Sequence, residues 1–202
     1  QRWRKHLISH VPFRPGGRFL DVATGTGDVL LAACRAHPEY EDFHGVDISG
    51  EMMNFGKLKS EKSDLADVTR FSQMSAERLS MASGTIDCVS ISFGLRNVID
   101  KKKALAEFHR VLNQDGQLLS LEFFTPKSGP MAFLFKFYFD HILPLIGRVL
   151  SDQSAYSYLP KSVGSFYSIS ELRSLIYEAG FCIDVQKDFL FGATRLIKAR
   201  KL

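Results

Sequence analysis

The stretch Arg18-Phe-Leu-Asp-Val-Ala-Thr-Gly-Thr-Gly-Asp28 joins an apolar strand to a glycine-rich turn. Gly25 and Gly27 can adopt backbone angles that are closed to other residues, and they let a ligand approach the main chain without a Cβ in the way. The residues after Gly27 have apolar side chains at helical spacing, so we expect a helix whose free N–H groups face an anionic group. The stretch therefore predicts a strand, a ligand-binding turn and a helix in succession.

A second apolar strand ends at Asp47, which suits a strand–helix–strand unit whose second carboxylate accepts hydrogen bonds from ribose hydroxyls. A dinucleotide cofactor would need the same acid. However, the dinucleotide fingerprint G-x-G-x-x-G needs a third glycine, and Leu30 stands at that position. The pattern therefore favours a nucleoside cofactor that is not a dinucleotide. A tight turn in an α/β protein without any cofactor remains the alternative.

Composition indicates one globular domain over residues 1–202, with 45% apolar and 24% charged residues. The net charge of +4 is modest and forms no concentrated basic stripe, so we expect no nucleic-acid partner. Three widely spaced cysteines in apolar runs predict reduced core residues and neither disulfides nor a metal site. Because the chain begins at Gln1, we expect further residues upstream in the natural protein.

Apolar strands alternate with amphipathic helices along most of the chain. This alternation predicts an α/β fold with a mostly parallel sheet of about seven strands and helices on both faces. The predicted strands lie near 18–22, 43–47, 69–72, 86–92, 116–123, 181–187 and 191–198, and the predicted helices at 28–36, 50–61, 100–112 and 168–178. The aromatic-rich residues 126–166 interrupt the pattern, and we interpret them as an inserted helical cap.

Two further segments follow predicted strands at the edge where ligands bind in such sheets. Ser75 and Ala76 follow the third strand, where they could contact an adenine ring, although a polar loop without a ligand explains them equally well. Arg96 and Asn97 follow the fourth strand, where substrate would meet cofactor. The alternative role for Arg96 is that of an ion-pair partner on the surface.

Two motifs carry a family resemblance. The string Asp21-Val-Ala-Thr-Gly-Thr-Gly27 resembles the first motif of Rossmann-like methyltransferases that use S-adenosylmethionine. The string Ser92-Phe-Gly-Leu-Arg-Asn97 closely resembles the menaquinone/ubiquinone biosynthesis C-methyltransferase family. That resemblance runs from Trp3 to about Phe181 and includes Val46–Ser49, Leu121–Phe123 and Tyr156–Leu159.

The resemblance implies methylation of a ring carbon of a polyprenylated quinol, most commonly demethylmenaquinol. It implies that Thr26, Asp47, Ser75, Ala76 and Ser92 bind the cofactor, and the glycine-turn motif adds Asp21, Gly25 and Gly27 as cofactor-binding candidates. The chain departs from the family pattern at Thr24, Asn113–Asp115, Lys161 and Thr194-Arg195. The family's upstream segment, which carries a tyrosine and an aspartate near the cofactor, is also missing from the sequence.

Methyl transfer to a quinol carbon requires alignment of the carbon, exclusion of water and stabilisation of the quinolate. Arg96 suits stabilisation because a guanidinium stays protonated, and Asn97 could orient the quinol oxygen or a water. These two residues are the predicted catalytic pair. Several residues are candidates for the general base, and the sequence does not choose among them: His141, Asp152 and Tyr156 in the cap, with His109 on a helix surface.

The cap is too interrupted by Lys136, Asp140 and Pro144 to span a bilayer. Its aromatic residues suit either a groove for the prenyl tail, a face resting on a membrane, or a plain cover for the sheet. We therefore expect a cytoplasmic protein with peripheral contact to the inner face of the cytoplasmic membrane. The sequence leaves the oligomeric state open.

Three other functions compete with this interpretation. An O-methyltransferase, or another small-molecule methyltransferase, would share the fold and the cofactor. A nicotinamide-dependent oxidoreductase is disfavoured by Leu30 and by the absence of a Tyr-x-x-x-Lys pair. A binding module without catalysis is disfavoured by the intact glycine turn and Asp47.

Overall fold

The computed structural model describes residues 2–124 and 167–202, and the predicted cap at 126–166 lies outside them. The strands of the described residues form one sheet in the order β3-β2-β1-β4-β5-β7-β6. Among these strands, β7 runs in the opposite direction to all the others, so the sheet is mostly parallel, as predicted. The strands are β1 (Gly17–Val22), β2 (Tyr40–Asp47), β3 (Thr69–Gln73), β4 (Ile86–Ser92), β5 (Leu112–Phe123), β6 (Phe181–Phe189) and β7 (Thr194–Lys201).

Helices pack on both faces of this sheet because adjacent strand residues face opposite sides. In β1, for example, Phe19 belongs to the core under α1 and α2, whereas Leu20 belongs to the core under α4 and α5. No described helix is long and apolar enough to cross a membrane. The described helices are α1 (Arg2–Ile8), α2 (Asp28–Ala36), α3 (Gly50–Glu61), α4 (Lys101–Val111) and α5 (Ile169–Glu178).

Local sequence explains how these helices begin. Ser168 and Glu171 form the predicted capping box at the start of α5, in which each side chain bonds to the other residue's backbone N–H. Asp100 caps α4 by accepting a hydrogen bond from the Lys103 N–H. Helix α1 was not predicted, although Trp3 and Leu7 are spaced one turn apart on it.

Several strand boundaries differ from the prediction, and two of the differences have a local structural cause. Strand β5 begins at Leu112, which pairs with Ile86, and the register shifts before Gln117 pairs with Cys88. The polar residues between them are an irregularity inside the strand, and they hid its true start. Strand β7 begins at Thr194, because the chain first forms a short 3₁₀ helix over Leu190–Gly192.

The strand order determines where a ligand can bind. Strand β1 lies between β2 and β4, so the chain leaves β1 toward one side of the sheet and later returns to the other. Loops that diverge at such a switch point leave a crevice at the carboxyl ends of the strands. The predicted cofactor-binding residues and the predicted catalytic pair lie at these strand ends or in the loops that follow them.

Candidate cofactor and substrate site

The glycine turn connects β1 to α2 in a left-handed conformation. Gly25 has φ 55° and Gly27 has φ 75°, values that L side chains rarely adopt. A Cβ on Gly25 would come within 3.1 Å of the Met52 Cε, and one on Gly27 within 3.1 Å of the Phe71 ring. The turn therefore requires glycine for its backbone angles and for its close contact with α3 and β3.

Asp47, at the end of β2, is tied to the glycine turn. Its Oδ2 accepts a hydrogen bond of 2.8 Å from the Gly25 N–H, and its Oδ1 accepts one of 2.9 Å from the Ser49 N–H. The ribose role was predicted for this acid, but the bond to Gly25 was not. Each carboxylate oxygen has a second lone pair, so the group can hold the turn and still accept from a ligand hydroxyl.

Asp21 lies beneath the glycine turn and is only 1% exposed. Its carboxylate accepts hydrogen bonds from the Thr24 hydroxyl at 2.7 Å and the Ser90 hydroxyl at 2.5 Å. Burial raises the pKa of Asp21 to about 6, although these hydrogen bonds oppose the shift. The structure thus gives Asp21 a supporting position behind the turn, and its predicted contact with the cofactor stays a prediction.

Thr26 lies between the two glycines and contacts α3. The Lys59 ammonium donates to the Thr26 hydroxyl at 2.9 Å and to the Thr26 carbonyl at 3.2 Å. Lys59 also pairs with Asp28, the first residue of α2, at 2.8 Å. A positive charge therefore lies close to the turn and to the N-terminus of α2.

The loop after β3 adjoins the end of β2. The Met74 N–H donates to the Asp47 carbonyl at 2.9 Å, which brings Ser75 and Ala76 to the same edge as the acid. The Ser75 hydroxyl accepts from the Glu77 N–H at 3.2 Å, and Ala76 is 9% exposed. Glu77 in turn accepts from the N–H groups of Ile99 and Asp100, so this loop is joined to the loop after β4.

A buried hydroxyl at the end of β4 shows whether a polar cofactor fits this site. The Ser92 hydroxyl is buried and has no hydrogen-bond partner within residues 2–124 and 167–202. A buried polar atom without a partner is costly, and a bound ligand can satisfy it. Two residues near this hydroxyl have a left-handed backbone: Phe93, with φ 55°, and Ala23 after β1, with φ 54°. Non-glycine residues with such angles cluster at ligand sites. The residues present therefore fit a polar cofactor at this edge.

The turns after β1 and β4 touch each other. A Cβ on Gly94 would collide with the Cβ of Ala23, so the absence of a side chain at Gly94 allows this contact. The contact joins the glycine turn to the Ser92–Asn97 segment. The cofactor-binding candidates and the predicted catalytic pair consequently belong to one continuous surface.

Arg96 is a buried ion-pair partner. Its Nη1 donates to the Glu122 carboxylate at 2.5 Å and to the Phe93 carbonyl at 2.6 Å, and the two charged side chains are 4% and 1% exposed. Burial raises the pKa of Glu122, and the Arg96 charge opposes that shift. Glu122 was not singled out as a site residue. The pair fixes the turn that carries Asn97, whose side chain is exposed and bonds to no described residue.

Apolar side chains flank both parts of the site. Ile48, directly after Asp47, is 71% exposed, and Met52 is 43% exposed on α3. Phe93 and Phe123 stack at 4.4 Å between ring centroids, and the Trp3 ring meets both of them edge-on. No alternation pattern would identify these residues, because they follow strand ends and come together only through the sheet order.

Comparison with known proteins identifies the family. A model of the ubiE/COQ5 methyltransferase family matches residues 1–201. The chain belongs to this family. Membership confirms the predicted family and enzyme class, with S-adenosylmethionine as cofactor, and it disfavours the oxidoreductase and the non-catalytic module.

Two curated relatives have names from quinone biosynthesis. The ubiquinone/menaquinone biosynthesis C-methyltransferase UbiE of Geotalea uraniireducens (strain Rf4) is 41% identical over 181 residues, covering 90% of this chain and 77% of the relative. A demethylmenaquinone methyltransferase of Bacteroides fragilis (strain YCH46) is 38% identical over 201 residues, covering 98% of this chain and 81% of the relative. The family relationship therefore extends along most of both proteins.

Solved structures confirm the fold at lower identity. A methyltransferase dependent on S-adenosylmethionine from Aquifex aeolicus matches with a TM-score of 0.71 at 16% identity, covering 98% of this chain and 89% of that one. The [4+2]-cyclase SpnF matches with a TM-score of 0.77 at 16% identity, covering 99% and 80%. Because the same fold occurs in a methyltransferase and in a cyclase, the fold alone does not decide the reaction.

Asp21 makes the stability of the fold depend on pH. A carboxyl whose folded-state pKa is raised binds its proton more tightly when folded, so its contribution to stability falls as pH rises from about 4 to about 6. We expect the free energy of unfolding of Asp21→Asn, relative to wild type, to rise by about 1 kcal/mol between pH 5 and pH 7. Urea denaturation of both proteins at the two pH values measures this difference, and parallel pH profiles would contradict it.

Proposed function

We propose that the protein transfers a methyl group from S-adenosylmethionine to a ring carbon of a polyprenylated quinol, converting demethylmenaquinol to menaquinol. The names of the relatives support this substrate class, and their similarity covers most of the chain. In the structure, the turn after β4 gives the main support for this reaction. Its Arg96 is fixed by Glu122, and its Gly94 touches the glycine turn, so substrate and cofactor can meet there.

The cofactor would lie across the ends of β1, β2 and β4. The free N–H groups at the start of α2 suit its carboxylate, and Asp47 suits the ribose hydroxyls. Ile48 and Met52 provide exposed apolar surface beside that acid for the adenine ring, and Ser75-Ala76 would contact the adenine edge. The unpartnered Ser92 hydroxyl would bond to the cofactor near the substrate.

When bound, the cofactor supplies an electrophilic methyl group on a sulfonium. The chain's own residues then have to hold the quinol carbon in line, exclude water and favour the quinolate. Arg96 keeps a positive charge at the turn, and Glu122 holds that side chain in one position. The exposed amide of Asn97 can orient the quinol oxygen. His109 on α4 contacts the Phe181 ring at the opposite end of the sheet. The other candidate bases, His141, Asp152 and Tyr156, lie outside the described residues, so no base is assigned.

The quinol ring would lie near the Phe93–Phe123 pair. These rings sit at the ends of β4 and β5 beside Arg96, whose guanidinium carbon is 5.8 Å from the Phe123 ring centre. Aromatic surface next to a cation suits an aromatic diol that becomes an anion. The proposal includes a single domain over residues 1–202. It also includes peripheral contact with a membrane, because polyprenylated quinols dissolve in bilayers.

Product analysis tests the reaction. We expect incubation with S-adenosylmethionine and a reduced short-tail demethylmenaquinol to give a ring C-methyl product, identified by mass spectrometry and proton NMR. The matched control is the oxidised quinone, which lacks the ionisable hydroxyl and should not react. A methyl ether would show an O-methyltransferase instead and would contradict the proposal.

Substitution of Asp47 tests the cofactor site. We expect Asp47→Ala to weaken binding of S-adenosylmethionine at least about 100-fold, because it removes charge-assisted bonds to two hydroxyls and the acceptor for the Gly25 N–H. Isothermal titration measures the affinity. Asp42→Ala is the matched control, since it lies on the same strand and pairs with Arg70, and it should bind normally. Equal affinities of the two variants for S-adenosylmethionine would show that Asp47 does not bind the cofactor.

A double substitution separates the structural and catalytic roles of Arg96. Arg96→Met alone leaves the Glu122 charge buried without its partner, which should cost about 3–5 kcal/mol of unfolding free energy. Arg96→Met combined with Glu122→Gln should recover most of that stability, because it removes the buried charge and keeps an acceptor for the Arg96 N–H. We expect the double variant to bind cofactor like wild type while turnover falls at least about 100-fold. Wild-type turnover, or loss of cofactor binding, would contradict the role of Arg96.

A further inference from the structure

A groove runs between α1 and α2 on the face of the sheet that they share. It is open to solvent and has a volume of about 440 Å³. Its apolar lining comes from Ile8, Ala32 and Ala36, and its cations come from Arg4 and Lys5. None of these residues belongs to the cofactor or substrate site described above.

A smaller cavity of about 200 Å³ adjoins this groove and shares Arg4 with it. Besides Leu31 and Ser63, its lining contains one acid among several cations: Arg4, Asp28, Arg35, Lys59 and Lys62. Arg4 and Lys59 pair with Asp28, whereas Arg35 and Lys62 form no ion pair with any residue that the structure describes. The cavity therefore carries an excess of positive charge.

We propose that this groove and cavity, together the α1–α2 surface, bind an anionic phospholipid of the membrane that holds the quinol. The cationic cavity complements a phosphate-containing headgroup, and the apolar groove beside it complements the start of an acyl chain. Arg4 lies where the two parts of such a molecule join. We choose a membrane lipid because the proposed quinol substrate lies in a membrane, so this proposal rests on the proposed function.

Helix α1 connects this surface to the substrate site. Trp3 contacts the rings of Phe93 and Phe123, while the adjacent Arg4 lines both cavities. A lipid bound along α1 would therefore hold the end of the sheet that carries Arg96 close to the bilayer. This arrangement would bring the site to a substrate whose prenyl tail remains in the membrane.

Vesicle sedimentation with the chain tests the surface. The vesicles are phosphatidylcholine alone, or phosphatidylcholine mixed with phosphatidylglycerol. We expect binding to the mixed vesicles only, and the double variant Arg35→Glu, Lys62→Glu should lower the partition coefficient at least about tenfold. The control variant Lys103→Glu, Arg173→Glu makes the same charge change on α4 and α5, across the sheet, and should lower it less than about threefold. Equal losses in both variants, or no loss in the first, would overturn the proposal.

Two further readouts complete the design. Inorganic phosphate, tested against chloride at equal ionic strength, should not displace the protein from vesicles, and complete displacement would show a phosphate site in place of a lipid site. Methylation of a soluble short-tail quinol without vesicles should be the same for wild type and the Arg35/Lys62 variant, whose fold is checked by thermal denaturation. Vesicle binding without methylation would refute the proposed methyl transfer alone, and methylation without vesicle binding would refute the lipid surface and the membrane contact while leaving the methyl transfer intact.

Discussion

The hydrogen bond from the Gly25 N–H to the Asp47 carboxylate links the ends of two neighbouring strands. The left-handed turn at Gly25 and Gly27 points that N–H at the acid, and only glycine adopts those angles without strain next to Met52 and Phe71. Asp21 supports the same turn from below through Thr24 and Ser90. The crevice at the strand ends is therefore shaped by two carboxylates before any ligand binds, and this preorganisation lowers the cost of ordering the site on binding.

The site has two halves that the sheet order brings together. The ends of β1, β2 and β3 carry all the cofactor candidates except Ser92, and the ends of β4 and β5 carry Ser92, Arg96, Glu122 and the aromatic pair. The cofactor half is held mainly by bonds to the backbone, whereas the substrate half adds a buried ion pair to such bonds. The two halves are coupled where Gly94 touches Ala23, so a new substrate can be accommodated by changes near Arg96 only if that contact is kept.

Local patterns in the sequence predicted most of the fold. The apolar alternation of the first four strands and the capping box at Ser168 are short-range signals, and both are confirmed. The start of β5 was predicted too late, because the polar residues after Leu112 interrupt the alternation without ending the strand. Helix α1 is short and has few apolar positions, so its packing against the sheet, rather than its own pattern, stabilises it.

The site was predictable where its residues adjoin in sequence, as in the glycine turn and the Ser92–Asn97 segment. The pairing of Arg96 with Glu122 was not, since 26 residues separate them and only the parallel neighbours β4 and β5 bring them together. The exposed Ile48 and the aromatic group around Trp3 were missed for the same reason. A single sequence shows which residue types follow a strand, but not which of them meet across the edge of the sheet.

The contact between Ala23 and Gly94 restricts the order in which mutations at the site can be accepted. Ala23 already has a left-handed backbone at φ 54°, and no room remains for a side chain on Gly94. A larger residue at either position alone would push the cofactor turn away from the substrate turn, whereas Ala23→Gly would first create the space that Gly94→Ala needs. A side chain at position 94 is therefore accepted only after Ala23 has been replaced by glycine.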